Sequence, residues 1–159
     1  MNTREFFTKQ FEAERPKFAS VLRAMPDDKL DYKPHDRSSS ARSIAWFLVL
    51  ELRALLSLIK TGEHHWEQPK SPGSGTAIAD EYEKTAGDMQ KALASVDDAQ
   101  WEKPAAMYFG DKLMMNRPLG ESIWNFFFDA IHHRGQLSSY LRPMGGKVPS
   151  IYGPSGDSR

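Results

Sequence analysis

Residues 40–62, SARSIAWFLVLELRALLSLIKTG, decide the fold. Ala41, Ile44, Ala45, Leu48, Leu52, Leu55 and Ile59 recur at three- and four-residue steps, the period of one buried helix face. Ser38-Ser39-Ser40 offers capping hydroxyls at the start, and Thr61-Gly62 supplies the glycine that closes helices. Trp46, Phe47, Val49 and Leu50 add apolar surface on the other sides, so this helix is expected to be the most buried in the molecule. Its apolar run, Ile44 to Leu50, is seven residues, far short of the ~20 that span a bilayer. One residue does not belong: Glu51 places a carboxylate one turn beyond Phe47 on a mainly apolar surface.

Upstream, Phe7, Phe11, Phe18, Val21 and Leu22 predict a first helix capped at Thr3, with a bend at Pro16 and an end at Met25-Pro26. Leu30 to Ser40 reads as an irregular connection. Downstream, Glu63 to Gly75 reads as a loop, followed by a third helix capped near Thr76 and carrying Ile78, Tyr82, Ala86, Met89, Leu93 and Val96. Asp97 to Arg117 reads as a long connection whose Trp101, Tyr108 and Phe109 pack over the helices. Pro118 and Gly120 introduce a fourth helix, about Glu121 to Leu141, in which the run Phe126-Phe127-Phe128 serves packing. No pair of alternating strands joined by a hairpin turn is read anywhere. Prolines and glycines exclude a helix after Arg142, yet Met144, Val148, Ile151 and Tyr152 predict that this tail lies against the bundle. Residues 1–159 therefore read as a single all-α domain, a four-helix bundle. The connections after the first and third helices are too long for hairpins, which implies one or two crossovers.

Lys+Arg and Asp+Glu number 21 each, a net charge of zero, and no basic stripe stands out. Nucleic acid and membrane surfaces are thus not expected as partners. Cysteine is absent, which excludes disulfides, thiolate zinc sites and cysteine nucleophiles. Met1 to Glu5 shows no secretory pattern, and a cytoplasmic protein is expected. Gly146-Lys147 lacks phosphate-loop spacing, and Ser155 does not sit in a strand-to-helix elbow.

The chemically dense segment is Asp129-Ala130-Ile131-His132-His133-Arg134-Gly135-Gln136. Asp129 and His133, four apart, share one helix face. Such a pair can hold one divalent metal with ligands from a facing helix, or it can be a simple hydrogen-bonded pair. His132 is turned by about 100° from His133 and points elsewhere. His35, His64 and His65 carry no functional reading. Glu51 has two: a pair with Arg53, Arg42 or Arg134, or a ligand or base facing Asp129 and His133.

Taken together, His132-His133-Arg134-Gly135-Gln136-Leu137-Ser138, Tyr140 to Gly146, Val148 to Ser155, Leu30 to His35 and Ser43-Ile44-Ala45-Trp46 resemble the DinB-like (DinB/YfiT) family of metalloenzymes over nearly the whole chain. The resemblance implies a four-helix bundle, often a homodimer, with one divalent metal on three histidines. One comes from the second helix and two, spaced H-x3-H, from the fourth. Those positions fall here on Phe47, Asp129 and His133, so one histidine is kept, one is a carboxylate and one is a phenyl ring. Asp can ligate zinc, nickel or manganese; Phe cannot ligate, which leaves Glu51 or His132 as auxiliary ligands. The implied activity is that of a thiol-dependent transferase, using mycothiol or bacillithiol, or a hydrolase, with an altered metal site. The alternative is a metal-free bundle that binds a small molecule or acts as a dimeric interaction protein.

Overall fold

A computed structural model describes residues 2–158. Helix α1 spans Thr3–Arg23, α2 Ala41–Thr61, α3 Gly75–Ser95, the one-turn α4 Asp98–Trp101, and α5 Leu119–Leu141. Strands β1 (Glu63–His65), β2 (Pro104–Phe109) and β3 (Lys112–Pro118) form a small sheet. The long helices form where the sequence periodicity places them, and local chemistry sets their ends. Asn2, rather than Thr3, caps α1: its side chain accepts from the Glu5 N–H while Glu5 reaches back to the Asn2 N–H. Ser40 caps α2 through the Ser43 N–H, and Gly62, at φ 78°, closes it. Ser74 caps α3 two residues before the expected position. Pro118 leads directly into α5, which begins at Leu119 rather than Glu121. Helix α1 continues unbroken through the exposed Pro16.

In the bundle α1 packs against α3 and α5, and α2 packs against the same two, so α1 and α2 stand on opposite corners. Both expected long connections are therefore crossovers, one from α1 to α2 and one from α3 to α5. Phe7, Phe18, Leu22, Leu48, Leu58, Ile78, Met89, Leu93, Ile123 and Leu137 are fully buried between them. Gly120 lies so close under Trp101 that a Cβ there would come within 2.1 Å of the indole.

The sheet corrects the reading of Glu63–Gly75 and Asp97–Arg117 as irregular. β1 pairs parallel with β2 in the register Glu63↔Ala106, His64↔Met107 and His65↔Tyr108. β2 pairs antiparallel with β3, from Pro104↔Pro118 to Phe109↔Lys112, with an irregularity at Met107/Tyr108. Gly110-Asp111 makes the hairpin turn, with Gly110 at φ 56°. Trp101 is buried as expected, but Phe109 and Phe128 are exposed, contrary to their expected packing roles. β1 follows α2 immediately and β3 runs into α5, so the sheet is tethered to the two helices that carry Phe47, Glu51, Asp129 and His133.

The tail is held as expected. Met144 is buried, Val148 and Ile151 pack on the core, and the Arg142 Nε donates to Asp157 at 3.0 Å. No described helix is long and apolar enough to cross a membrane.

Candidate functional site

Helix periodicity places Phe47 and Glu51 one turn apart on α2, and Asp129 and His133 one turn apart on α5. The two helices are neighbours, and these four residues meet between them. The Phe47 ring stands edge-on to the His133 imidazole, centroids 5.2 Å apart, and its other neighbour is Trp66 at 5.4 Å. His133 Nε2 lies 3.4 Å from Asp129 Oδ2, while Nδ1 shares a hydrogen bond of 2.8 Å with Gln136 Oε1. Gln136 thus fixes the ring's orientation from the far side. His132 is exposed, its ring centroid 5.3 Å from that of His133.

Glu51 is 2 % exposed, and its Oε2 has no hydrogen-bond partner among the described residues. Burial pushes its pKa up to about 10, reinforced by hydrogen bonding to and repulsion from the Asp129 carboxyl. The side chain is therefore a neutral acid at physiological pH. The expected pairing of Glu51 with arginine does not occur, because each arginine is engaged elsewhere. Arg53 pairs with Glu81 at 2.6 Å, Arg42 with Asp31 at 3.0 Å and Arg134 with Glu14 at 2.5 Å.

Two clefts open on either side of Phe47, which lines both. One, about 480 Å³, is polar in part and includes Ser43, Trp46, Gln68 and His133. The other, about 380 Å³, lies between α2, α5 and the sheet and includes Glu51, Trp66, Met107, Met114, Phe126 and Asp129. Both volumes fall in the range of small-molecule pockets, about 300–1,000 Å³. Phe47, Glu51, Phe126 and Asp129 of the second cleft are residues the sequence singles out, and Tyr108 and Phe109 are expected from it to pack over the helices. Asn125, Met107 and Met114, and the sheet that forms one wall, have no signal in the sequence.

The metal implied by the resemblance can be tested against these side chains. Among the described residues no three His, Asp or Glu side chains converge closely enough to hold an ion. Phe47 offers no lone pair and covers His133 on the side facing α2. Glu51, one turn along α2, would first have to give up a proton that burial and the neighbouring Asp129 favour keeping. This donor set does not fit a three-ligand metal centre.

A second buried polar group, unforeseen, lies elsewhere in the bundle. Arg134, 2 % exposed, donates to Glu14 at 2.5 Å and to the Tyr152 hydroxyl at 2.6 Å, and that hydroxyl donates to Glu14 at 2.9 Å. The Arg134 guanidinium also lies 4.5 Å from the Phe18 ring centroid. Burial alone would raise the Glu14 pKa, but hydrogen bonds from Lys17, Arg134 and Tyr152 outweigh it and hold the carboxylate below its ordinary value. Arg134 belongs to the dense segment, yet it works as a structural clamp between α1, α5 and the tail.

Comparison with known proteins extends these observations. A sequence model of the DinB family matches residues 1–158. The uncharacterised protein YrdA of Bacillus subtilis is 26% identical over 154 residues, covering 96% of this chain and 90% of that one. A DinB-like protein of Bacillus cereus superposes with a TM-score of 0.75 at 23% identity, covering 93% of this chain and 97% of the other. YfiT of Bacillus subtilis, described as a probable metal-dependent hydrolase with an unusual four-helix bundle topology, gives a TM-score of 0.67 at 13% identity, covering 91% and 89% of the two chains. These structural likenesses establish the shared fold.

Proposed function

The chain belongs to the DinB family, and from that premise we propose that it is a ligand-binding member, taking a small, largely apolar molecule into the cleft between α2, α5 and the sheet. The observation that carries this reading is the Phe47 ring set against His133, 5.2 Å between centroids. It replaces a ligand position with apolar volume and turns the neighbouring cleft into an aromatic-walled pocket. Met107, Met114, Trp66 and Phe126 supply adaptable apolar contact, and Asp129 and Asn125 mark its polar edge.

A second reading, a metal-dependent hydrolase or thiol-dependent transferase with an altered site, is favoured by one distance. His133 Nε2 and Asp129 Oδ2 are 3.4 Å apart, about the separation of two tetrahedral ligands on one zinc ion. The description of YfiT as a probable metal-dependent hydrolase points the same way. Zinc, nickel or manganese on Asp129 and His133, with Glu51 or His132 as auxiliary, is what this reading requires. Under either reading a homodimer is the proposed assembly.

Elemental analysis of protein purified without an affinity tag, joined to calorimetric titration with the neutral probe 2-phenylethanol, separates the two. Metal-poor protein that binds the probe supports the ligand-binding reading. Stoichiometric metal that chelation removes, with no probe binding, overturns it.

A further inference from the structure

We propose that the cleft beside Phe47 selects an organic ammonium ion, its charged head seated between Glu51 and Asp129 and its apolar body lying along Trp66, Phe126 and the two methionines. The inference deepens the ligand-binding reading above and rests on it.

Three independent features of the cleft point to that chemistry. The first is charge: two carboxyl groups and one amide line it, and no Lys, Arg or His does. An anionic ligand would meet no counter-charge there, whereas a cation meets Asp129 directly. Second, Glu51 Oε2 is buried without a hydrogen-bond partner, and Glu51 lines this cleft. A buried carboxyl oxygen left without a hydrogen bond is costly, and an ammonium N–H can donate to it. Third, Phe47, Trp66, Tyr108, Phe109 and Phe126 make most of the remaining wall. Aromatic faces attract cations while accommodating hydrocarbon, so the same wall serves both ends of an amphipathic amine. A bare divalent ion would use only the carboxyl end and leave the aromatic wall without a role.

The test is a set of three near-isosteric probes, 2-phenylethylammonium, neutral 2-phenylethanol and anionic phenylacetate, titrated calorimetrically into the full chain. Quenching of tryptophan fluorescence, compared with Trp66→Phe, reports whether a probe occupies this cleft. The ammonium probe is expected to bind at least about tenfold tighter than the alcohol, with no binding of the anion. Asp129→Asn, a change at a half-exposed residue, should remove most of that preference, weakening the ammonium probe at least about fivefold more than the alcohol. Equal affinity for ammonium and alcohol would overturn the inference and leave the ligand-binding reading standing. Failure of every probe to bind would overturn both. Zinc binding that competes with the ammonium probe, and is lost in Asp129→Asn, would support a cation site at Asp129. Zinc binding without ammonium binding would overturn the proposal in favour of a metal site.

Discussion

The Phe47 and His133 rings meet edge to face, their planes at 81°. That contact puts residue 47 beside His133, the one histidine among the three positions to which the resemblance assigns a metal ligand. Phe47→His should place a second imidazole against His133 and Asp129, completing a His, Asp, His set of the kind found in open zinc sites. Zinc or nickel affinity should rise by about tenfold or more over the parent. The metal-free variant should be less stable by about 1–2 kcal/mol, since a polar ring replaces a packed phenyl group. Added metal should recover much of the loss, because it binds only the folded state. Titration calorimetry and thermal unfolding with and without zinc check both parts, and affinity unchanged from the parent would remove residue 47 from the site.

The helices were legible because Phe7, Phe11, Phe18 on α1 and Ile44, Leu48, Leu55 on α2 keep the helical period over many turns. The sheet was not, for a physical reason. Ala105-Ala106-Met107 and Leu113-Met114-Met115 neither alternate nor contain β-branched residues, so only Gly110-Asp111 signals a turn. The meeting of Phe47 with His133 was expected from the family resemblance, since periodicity fixes a face on each helix but not which faces meet. Nothing local marks Glu14 and Arg134 as partners: they are 120 residues apart in sequence and join only through packing of α1 on α5. The solitary Glu51 was visible as a misfit, but its lack of an arginine could be seen only once Arg42, Arg53 and Arg134 were found with other partners.

Glu51 should make stability pH-dependent in a defined direction. Its folded pKa of about 10 lies above the ordinary value of 4.5, so between those limits the folded chain holds a proton that the unfolded chain has released. This contribution is fully present below pH 4.5, weakens as pH rises, and is lost completely once pH passes about 10. Glu51→Gln keeps the shape and does not titrate. The variant should match the parent near pH 4.5 and gain on it by up to about 1.4 kcal/mol for each pH unit above that. Denaturant unfolding at pH 5, 6.5 and 8 measures the difference, and a gap that stays constant with pH would contradict a protonated, buried Glu51.

A partly exposed aromatic face of α1 and α5 is the candidate contact for the proposed homodimer. Phe6 stacks on Trp124 at 6.0 Å, Trp124 lies 5.5 Å from Phe128, and Phe6 and Phe128 are 43% and 61% exposed. If this cluster forms the core of a homodimer contact, Phe128→Glu should convert the protein to monomer with its thermal stability little changed, since the side chain is outside the core. Sedimentation of parent and variant decides it. A parent that is monomeric at tens of micromolar would eliminate the dimer.

The Glu14–Arg134–Tyr152 clamp yields a graded prediction, because its members differ in what their loss leaves behind. Glu14→Ala strands the Arg134 guanidinium, 2 % exposed, without a counter-charge, and breaking a buried pair from one side costs about 3–5 kcal/mol. Tyr152→Phe leaves the ion pair intact and removes only a hydroxyl bonded to both charged groups, a loss of about 1–3 kcal/mol. That loss should be local, since Tyr152 is itself 70% exposed and its hydroxyl ties the tail to α1 and α5. Within the tail Arg142 precedes a proline, so Lys147 is the residue at which trypsin can cut. Brief trypsin treatment of folded Tyr152→Phe should therefore release the segment after Lys147 faster than in the parent, at nearly the same global melting temperature. Glu14→Ala should instead lower the melting temperature of the whole bundle. Equal tail cleavage in Tyr152→Phe and the parent would mean that Met144, Val148 and Ile151, by packing alone, hold the tail in place.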